Sequence, residues 1–103
     1  MEKVSRNWFL DKGFEESHNE WTEYVGRDLM NEKKTIYSIQ DKKKKIVVNF
    51  EDHHLTNKKT DKITKWYSYY AIDHKIGLVV ENRITYRKPT VEQFEYILKL
   101  MGL

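Results

Sequence analysis

The stretch KWYSYYAIDH, residues 65–74, sets one Trp and three Tyr within five positions and closes on an Asp-His pair. Successive side chains of a strand point to opposite faces, so Lys65, Tyr67, Tyr69, Ala71 and Asp73 share one side and Trp66, Ser68, Tyr70 and Ile72 the other. The charged ends of the first set predict that it faces water. Downstream, Ile76, Leu78, Val80, Ile84 and Tyr86 are all even-numbered. That spacing predicts one long strand over 76–87, because a two-residue hairpin at Glu81 and Asn82 would turn Ile84 outward. A three-residue loop, Asp73 to Lys75, then pairs Ile72 with Ile76 and Tyr70 with Leu78 on the inner face. The same register sets Tyr69 beside Val79, Tyr67 beside Glu81 and Lys65 beside Arg83 on the outer face. Trp66, Tyr70, Leu78 and Ile97 are expected in the core.

Upstream, YSIQDKKKKIVVNFED has the same period of two. A loop of Asp41 to Lys44 pairs Gln40 with Lys45 and puts Ile39 opposite Ile46, Tyr37 opposite Val48 and Thr35 opposite Phe50 on one face. NEWTEYVGRD reads as another strand, roughly 20–26, in which Trp21 and Tyr24 have opposite parity and leave the inward face open. EDHHLTNKKTDK, residues 51–62, reads as a polar connection. Helices flank these strands. Ser5 is placed to cap a short turn carrying Trp8, Phe9 and Leu10, and Gly13 followed by Phe14 fits a left-handed stop with Phe14 folded back on Phe9. In PTVEQFEYILKLMGL, Thr90 and Gln93 form a capping box. Val91, Phe94, Ile97, Leu98 and Met101 recur at helical spacing, and Gly102 ends the helix. The expected architecture is a single two-layer α+β domain over residues 1–103, an antiparallel meander of about five strands with N- and C-terminal helices on its even-numbered face.

Composition bounds the function. Hydrophobic residues make up 39% and aromatic residues 14% of the 103 positions, enough apolar surface for a folded core in a chain that has room for only one. No cysteine is present, which removes disulfides, thiolate metal sites and a Cys nucleophile and makes the cytoplasm the expected compartment. No apolar run approaches the ~20 residues that span a bilayer, so no membrane partner is expected. The net charge of +3 is uneven: residues 33–65 hold ten Lys against four acids, whereas residues 1–32 hold four Lys or Arg against eight. Fifteen of the nineteen basic residues are Lys, and Lys lacks the planar fork with which Arg reads phosphates and bases.

Catalytic signatures are sparse. EDHHL brings Asp52, His53 and His54 together, but adjacent residues on a strand point apart, and a shared metal would need a specially folded loop. His74 and Asp73 fit a tight turn, and His18 has no recognisable partner. Ser17, Ser38 and Ser68 lack the flanking glycines of a nucleophile elbow, and Gly26 and Gly77 stand alone instead of forming a phosphate cradle. No cofactor is expected, and an enzyme is less expected than a binding protein. The segments NWFLDKGFEE (residues 7–16) and TVEQFEYILKLMGL (within residues 90–103) resemble small proteins encoded by bacteriophages and prophages, in which a short apolar helix ending in Gly-Phe, a ring-rich meander and a C-terminal amphipathic helix recur. The resemblance carries no functional residues across. It implies action by binding host components, defence proteins among them.

The leading expectation is therefore a non-enzymatic interaction module that binds and inhibits or modulates a host protein or complex through Lys65, Tyr67, Tyr69, Arg83 and Arg87. A second is a nucleic-acid-binding module using Lys42, Lys43, Lys44 and Lys45 with Lys58, Lys59 and the same rings. A third is a small hydrolase or metal protein centred on Asp52, His53 and His54. The ring-bearing face would serve equally as a homodimer interface.

Overall fold

The computed structural model describes residues 2–103, apart from the side chains of residues 80–83. In chain order it runs α1 (Arg6–Asp11), β1 (Glu15–Val25), β2 (Asp28–Asp41), β3 (Ile46–Asn57), β4 (Ile63–Asp73), β5 (Leu78–Thr85) and α2 (Val91–Leu100). The five strands form one antiparallel sheet in sequential order, the expected meander. Both helices begin and end as the sequence predicts. Ser5 accepts the Trp8 amide, Thr90 and Gln93 close a capping box, and Gly13 and Gly102 take the positive φ of +91° and +74° that lets each helix stop. The Phe14 amide donates to the Phe9 carbonyl, and the two rings meet edge to face at 5.0 Å.

Strand lengths and registers differ from expectation in ways that decide the faces. Residues 51–62 are not a connection, since β3 continues to Asn57 and turns back into β4 around a loop in which Asn57 Oδ1 accepts the amides of Lys59 and Thr60. The first hairpin is displaced by two residues, with Ile39 opposite Val48, Tyr37 opposite Phe50 and Asp41 opposite Ile46. Asp41 Oδ1 takes the amides of Lys43 and Lys44, so the acid closes the strand instead of lying in the loop. A shift of two preserves side-chain parity, and Tyr37, Ile39, Ile46, Val48 and Phe50 still share one face. The β3–β4 turn pairs Val48 with Ala71 and Phe50 with Tyr69, joining even to odd positions. Odd-numbered residues of β4 therefore lie beneath the helices, opposite to the expectation. On β5 the strand does run through Glu81 and Asn82, but Ile72 pairs with Val79 and a bulge follows, after which Tyr69 faces Arg83 and Tyr67 faces Thr85.

The core is a nest of rings. Phe50 is 0% exposed and stacks with Phe9 at 5.0 Å and Tyr67 at 5.8 Å, while Phe94 meets it edge on at 5.6 Å. Phe9 also stacks on Tyr37 at 4.5 Å. Val4, Val48, Ala71, Ile97, Leu98 and Met101 fill the gaps. The segment before α1 pairs with the segment before α2 through a Lys3–Thr90 bridge and Val4 N–H donating to Pro89 O at 3.1 Å. The short molecular dimension of 19 Å is the depth of a sheet with one helix layer, each about 10 Å thick, and nothing on its other side.

A polar rim borders this core where the short helices end. Burial pushes the Tyr37 phenol up to about 12, helped by the charge of Glu16, to which it hydrogen-bonds. Tyr67 is also raised, by burial first and then by Asp52. Burial alone would raise Glu16, but hydrogen bonding with His18 and the charge of Arg6, 2.8 Å away, hold it below its usual value.

Two outcomes follow from this packing. Phe50→Ala is expected to cost about 3–5 kcal/mol in urea unfolding, the toll of a cavity lined by rings that cannot close in. Tyr37 ionises more readily in the unfolded chain, near its ordinary 10.0, than in the folded one, near 12. Stability contributed by the protonated phenol is therefore complete below about pH 10 and falls as pH rises toward 12. Chemical denaturation across that window should show this alkaline loss, and Tyr37→Phe should flatten it.

Candidate functional site

The predicted ring-bearing patch is not a surface. Tyr69 is 5% exposed and packs on Phe94 at 5.3 Å, and Tyr67 is packed against the core on Phe50. The outward assignment of the odd positions fails because Lys65 and Asp73 report only that the strand outruns its cover. Lys65 sits at the far end of β4, past the helices, and Asp73 caps the next turn by accepting the Lys75 amide at 3.0 Å. The Arg83 side chain lies outside the described residues. Arg87 is exposed beyond the end of β5, where its amide donates to Thr85 Oγ1. By the same reversal Trp66 and Tyr70 leave the expected core, and Leu78, opposite Asp73 at the end of the hairpin, is exposed on the covered side; Ile97 remains.

The lysines do not converge. Lys42, Lys43, Lys44 and Lys45 are exposed in the β2–β3 turn, with Lys44 Nζ donating to Gly102 O at 3.3 Å, whereas Lys58 and Lys59 occupy the β3–β4 turn. The length of β3 separates the two turns by roughly 35 Å. His53 and His54, adjacent on β3, project to opposite sides. His54 Nε2 lies 3.1 Å from Asp52 Oδ1, an ion-pair distance without hydrogen-bond alignment. Among the described residues no group of three or more His, Cys, Asp or Glu side chains is arranged to hold a metal. His74 is exposed in the last turn. His18 finds Thr35 Oγ1 at 3.1 Å across the β1–β2 register and Glu16 Oε1 at 2.9 Å two residues along its own strand.

What the fold presents is the opposite face of the sheet. By register it carries Ile36 from β2, Val47, Asn49, Glu51 and His53 from β3, Trp66, Ser68, Tyr70 and Ile72 from β4, and Val79 and Ile84 from β5. Ile84 is 72% and Val79 49% exposed. With Glu51, Ser68, Tyr70 and Ile72 they line an open depression of about 390 Å³. A polar ladder crosses the strands beside it. His53, only 8% exposed, sets Nδ1 3.2 Å from Glu32 Oε1 and Nε2 3.0 Å from Ser68 Oγ. Its ring lies flat on Trp66 at 4.8 Å with an interplanar angle of 6°, which fixes its plane. Glu51 Oε1 stands 3.7 Å from Nε2 and is paired with Lys34 Nζ at 3.1 Å. Two residues further along the same two strands, Asn49 Nδ2 donates to the Tyr70 hydroxyl at 2.7 Å.

Charge on this face runs against the chain total. Glu15, Glu23, Asp28, Glu32 and Glu51 share it with Lys34 as the one lysine or arginine among the described residues. The sequence holds every residue of the face, and the signal that was missed is the β3–β4 pairing. Reading TNKKTDK as a tight turn sends Phe50 to Tyr69 and turns Ser68, Tyr70 and Ile72 outward.

The ladder should be energetically coupled. A double-mutant cycle of Glu32→Gln and His53→Gln, read by urea unfolding, is expected to give a coupling of about 0.5–3 kcal/mol. Additive losses would mean the two side chains act separately. Compared with protein-family models, curated proteins and solved structures, the chain matches none.

Proposed function

We propose that the protein is a binding module and that the open sheet face, centred on Tyr70, Ile72, Val79 and Ile84, docks a protein partner. The observation that carries this reading is an apolar depression, with Glu51 on its lining, on an uncovered sheet face that carries five carboxylates and one lysine among the described residues. Five strands about 4.8 Å apart and about 35 Å long offer on the order of 800 Å², what one side of a standard protein–protein interface contributes. The acidic balance of the whole face selects the occupant. A second copy of the same face would bring like charges together, and nucleic acid would meet them with its phosphates, whereas an apolar segment flanked by Lys or Arg is complementary. The resemblance of residues 7–16 and 90–103 to phage-encoded proteins supports a host protein as the partner and its inhibition or modulation as the result.

Val79→Asp with Ile84→Asp tests this. Both side chains are substantially exposed, so folding stability should change by less than about 0.5 kcal/mol for each. Affinity for the protein that co-purifies from a bacterial host lysate should fall at least about tenfold, and wild-type binding should weaken with salt. Retention of the same partner by the double variant, or a wild-type dimer in sedimentation that the variant abolishes, would overturn the reading.

A further inference from the structure

We infer that Ser68 is an activated nucleophile for acyl transfer, with His53 as its general base and Glu32 as the residue that positions the base. The three groups come from three neighbouring strands and satisfy the geometry this chemistry requires. Ser68 Oγ lies 3.0 Å from His53 Nε2, and His53 Nδ1 lies 3.2 Å from Glu32 Oε1. An ionised carboxylate only accepts hydrogen bonds, so Glu32 selects the neutral tautomer with its proton on Nδ1. Nε2 is then left bare to take the Ser68 hydroxyl proton. Stacking on Trp66 and near-complete burial hold the imidazole in place. When the proton arrives, the imidazolium sits between Glu32 and Glu51, the latter 3.7 Å from Nε2.

The neighbourhood identifies the substrate class. Ser68 lines the depression that Tyr70, Ile72, Val79 and Ile84 make apolar, which suits the acyl chain of a small uncharged carboxylic ester. In the first step Ser68 Oγ attacks the carbonyl carbon and its proton passes to His53 Nε2. The bond to the leaving alcohol then breaks, and that proton moves to the alcohol oxygen. In the second step water attacks the acyl-serine through the same base, releasing the carboxylic acid and restoring Ser68. The backbone amides of a central strand are committed to the ladder, so a side chain must meet the oxyanion. Tyr70, two residues along the same face, accepts from Asn49 and keeps its own hydroxyl proton to donate. This inference does not depend on the docking proposal, since the probe is a small ester and the Ser68 substitutions leave the apolar residues of the face unchanged.

The test uses p-nitrophenyl acetate and p-nitrophenyl butyrate with the full chain. Wild type should release nitrophenolate with a burst and carry the acyl group on Ser68 in peptide mass spectrometry. S68A should remove the acylation, and H53Q should slow it by about a hundredfold or more. E32Q should displace the pH–rate profile while leaving KM unchanged, which loss of packing alone would not do. Should S68A alter the circular dichroism, S68C keeps the shape of the site and should acylate on sulfur with a His53-dependent pH profile. A wild-type rate no greater than that of equimolar free imidazole, an unchanged rate in S68A, or an acyl group on a lysine or tyrosine would each overturn the assignment.

Discussion

The edge-on packing of Phe94 against Phe50 settles which side of the sheet becomes interior. Phe50 sits on the central strand and touches rings from both helices and both neighbouring strands. Every strand must therefore present to Phe94 the set of residues that its register brings level with Phe50. Five antiparallel strands provide two faces, but α1 and α2 together are long enough to cover only part of one. The buried set, the polar rim of Glu16, Tyr37, Asp52 and Tyr67, and the uncovered set with its ladder are all consequences of that one choice.

Local signals carried the elements, and a nonlocal one carried the faces. Ser5, Gly13, Thr90, Gln93 and Gly102 act within a few residues of themselves, and the helices they bound are where the sequence puts them. The β2–β3 hairpin tolerated an error because a slip of two leaves parity intact, so Tyr37 and Val48 remained inside. The opening stretch did not tolerate one. Its orientation depends on pairing with β3 through a turn hidden in a lysine-rich segment, and the terminal charges that stood in for that information report strand length instead of burial. Extending β3 to Asn57 and closing the turn on the Lys–Lys–Thr–Asp run would have turned Tyr67 and Tyr69 under Phe94 at once.

The open face combines features that a solvent-facing sheet does not need. An ordinary exposed face would alternate charge and Thr, yet here aliphatic side chains and Tyr70 adjoin an almost buried imidazole held at both nitrogens. Orienting His53 so tightly costs side-chain freedom that a solvated residue would keep. Lys34 serves the same arrangement from the side, since its contacts with Glu51 and the Trp21 ring hold a cation among the carboxylates. None of these partners is adjacent in sequence, which is why the grouping is absent from any short motif.

The Lys3–Thr90 bridge has a bearing on the order of folding. It joins positions 87 residues apart, and such nonlocal closures are slow because loop entropy is lost before any contact repays it. The hairpins of the meander are local and can close before Phe94 arrives. Phe9 and Phe50 then stand without their last neighbour, and the nascent sheet shows apolar residues on both sides. A chain in which α2 has not yet docked would be a natural client for chaperones, and its two-sided stickiness would end only when that ten-residue helix swung across to seal one of them.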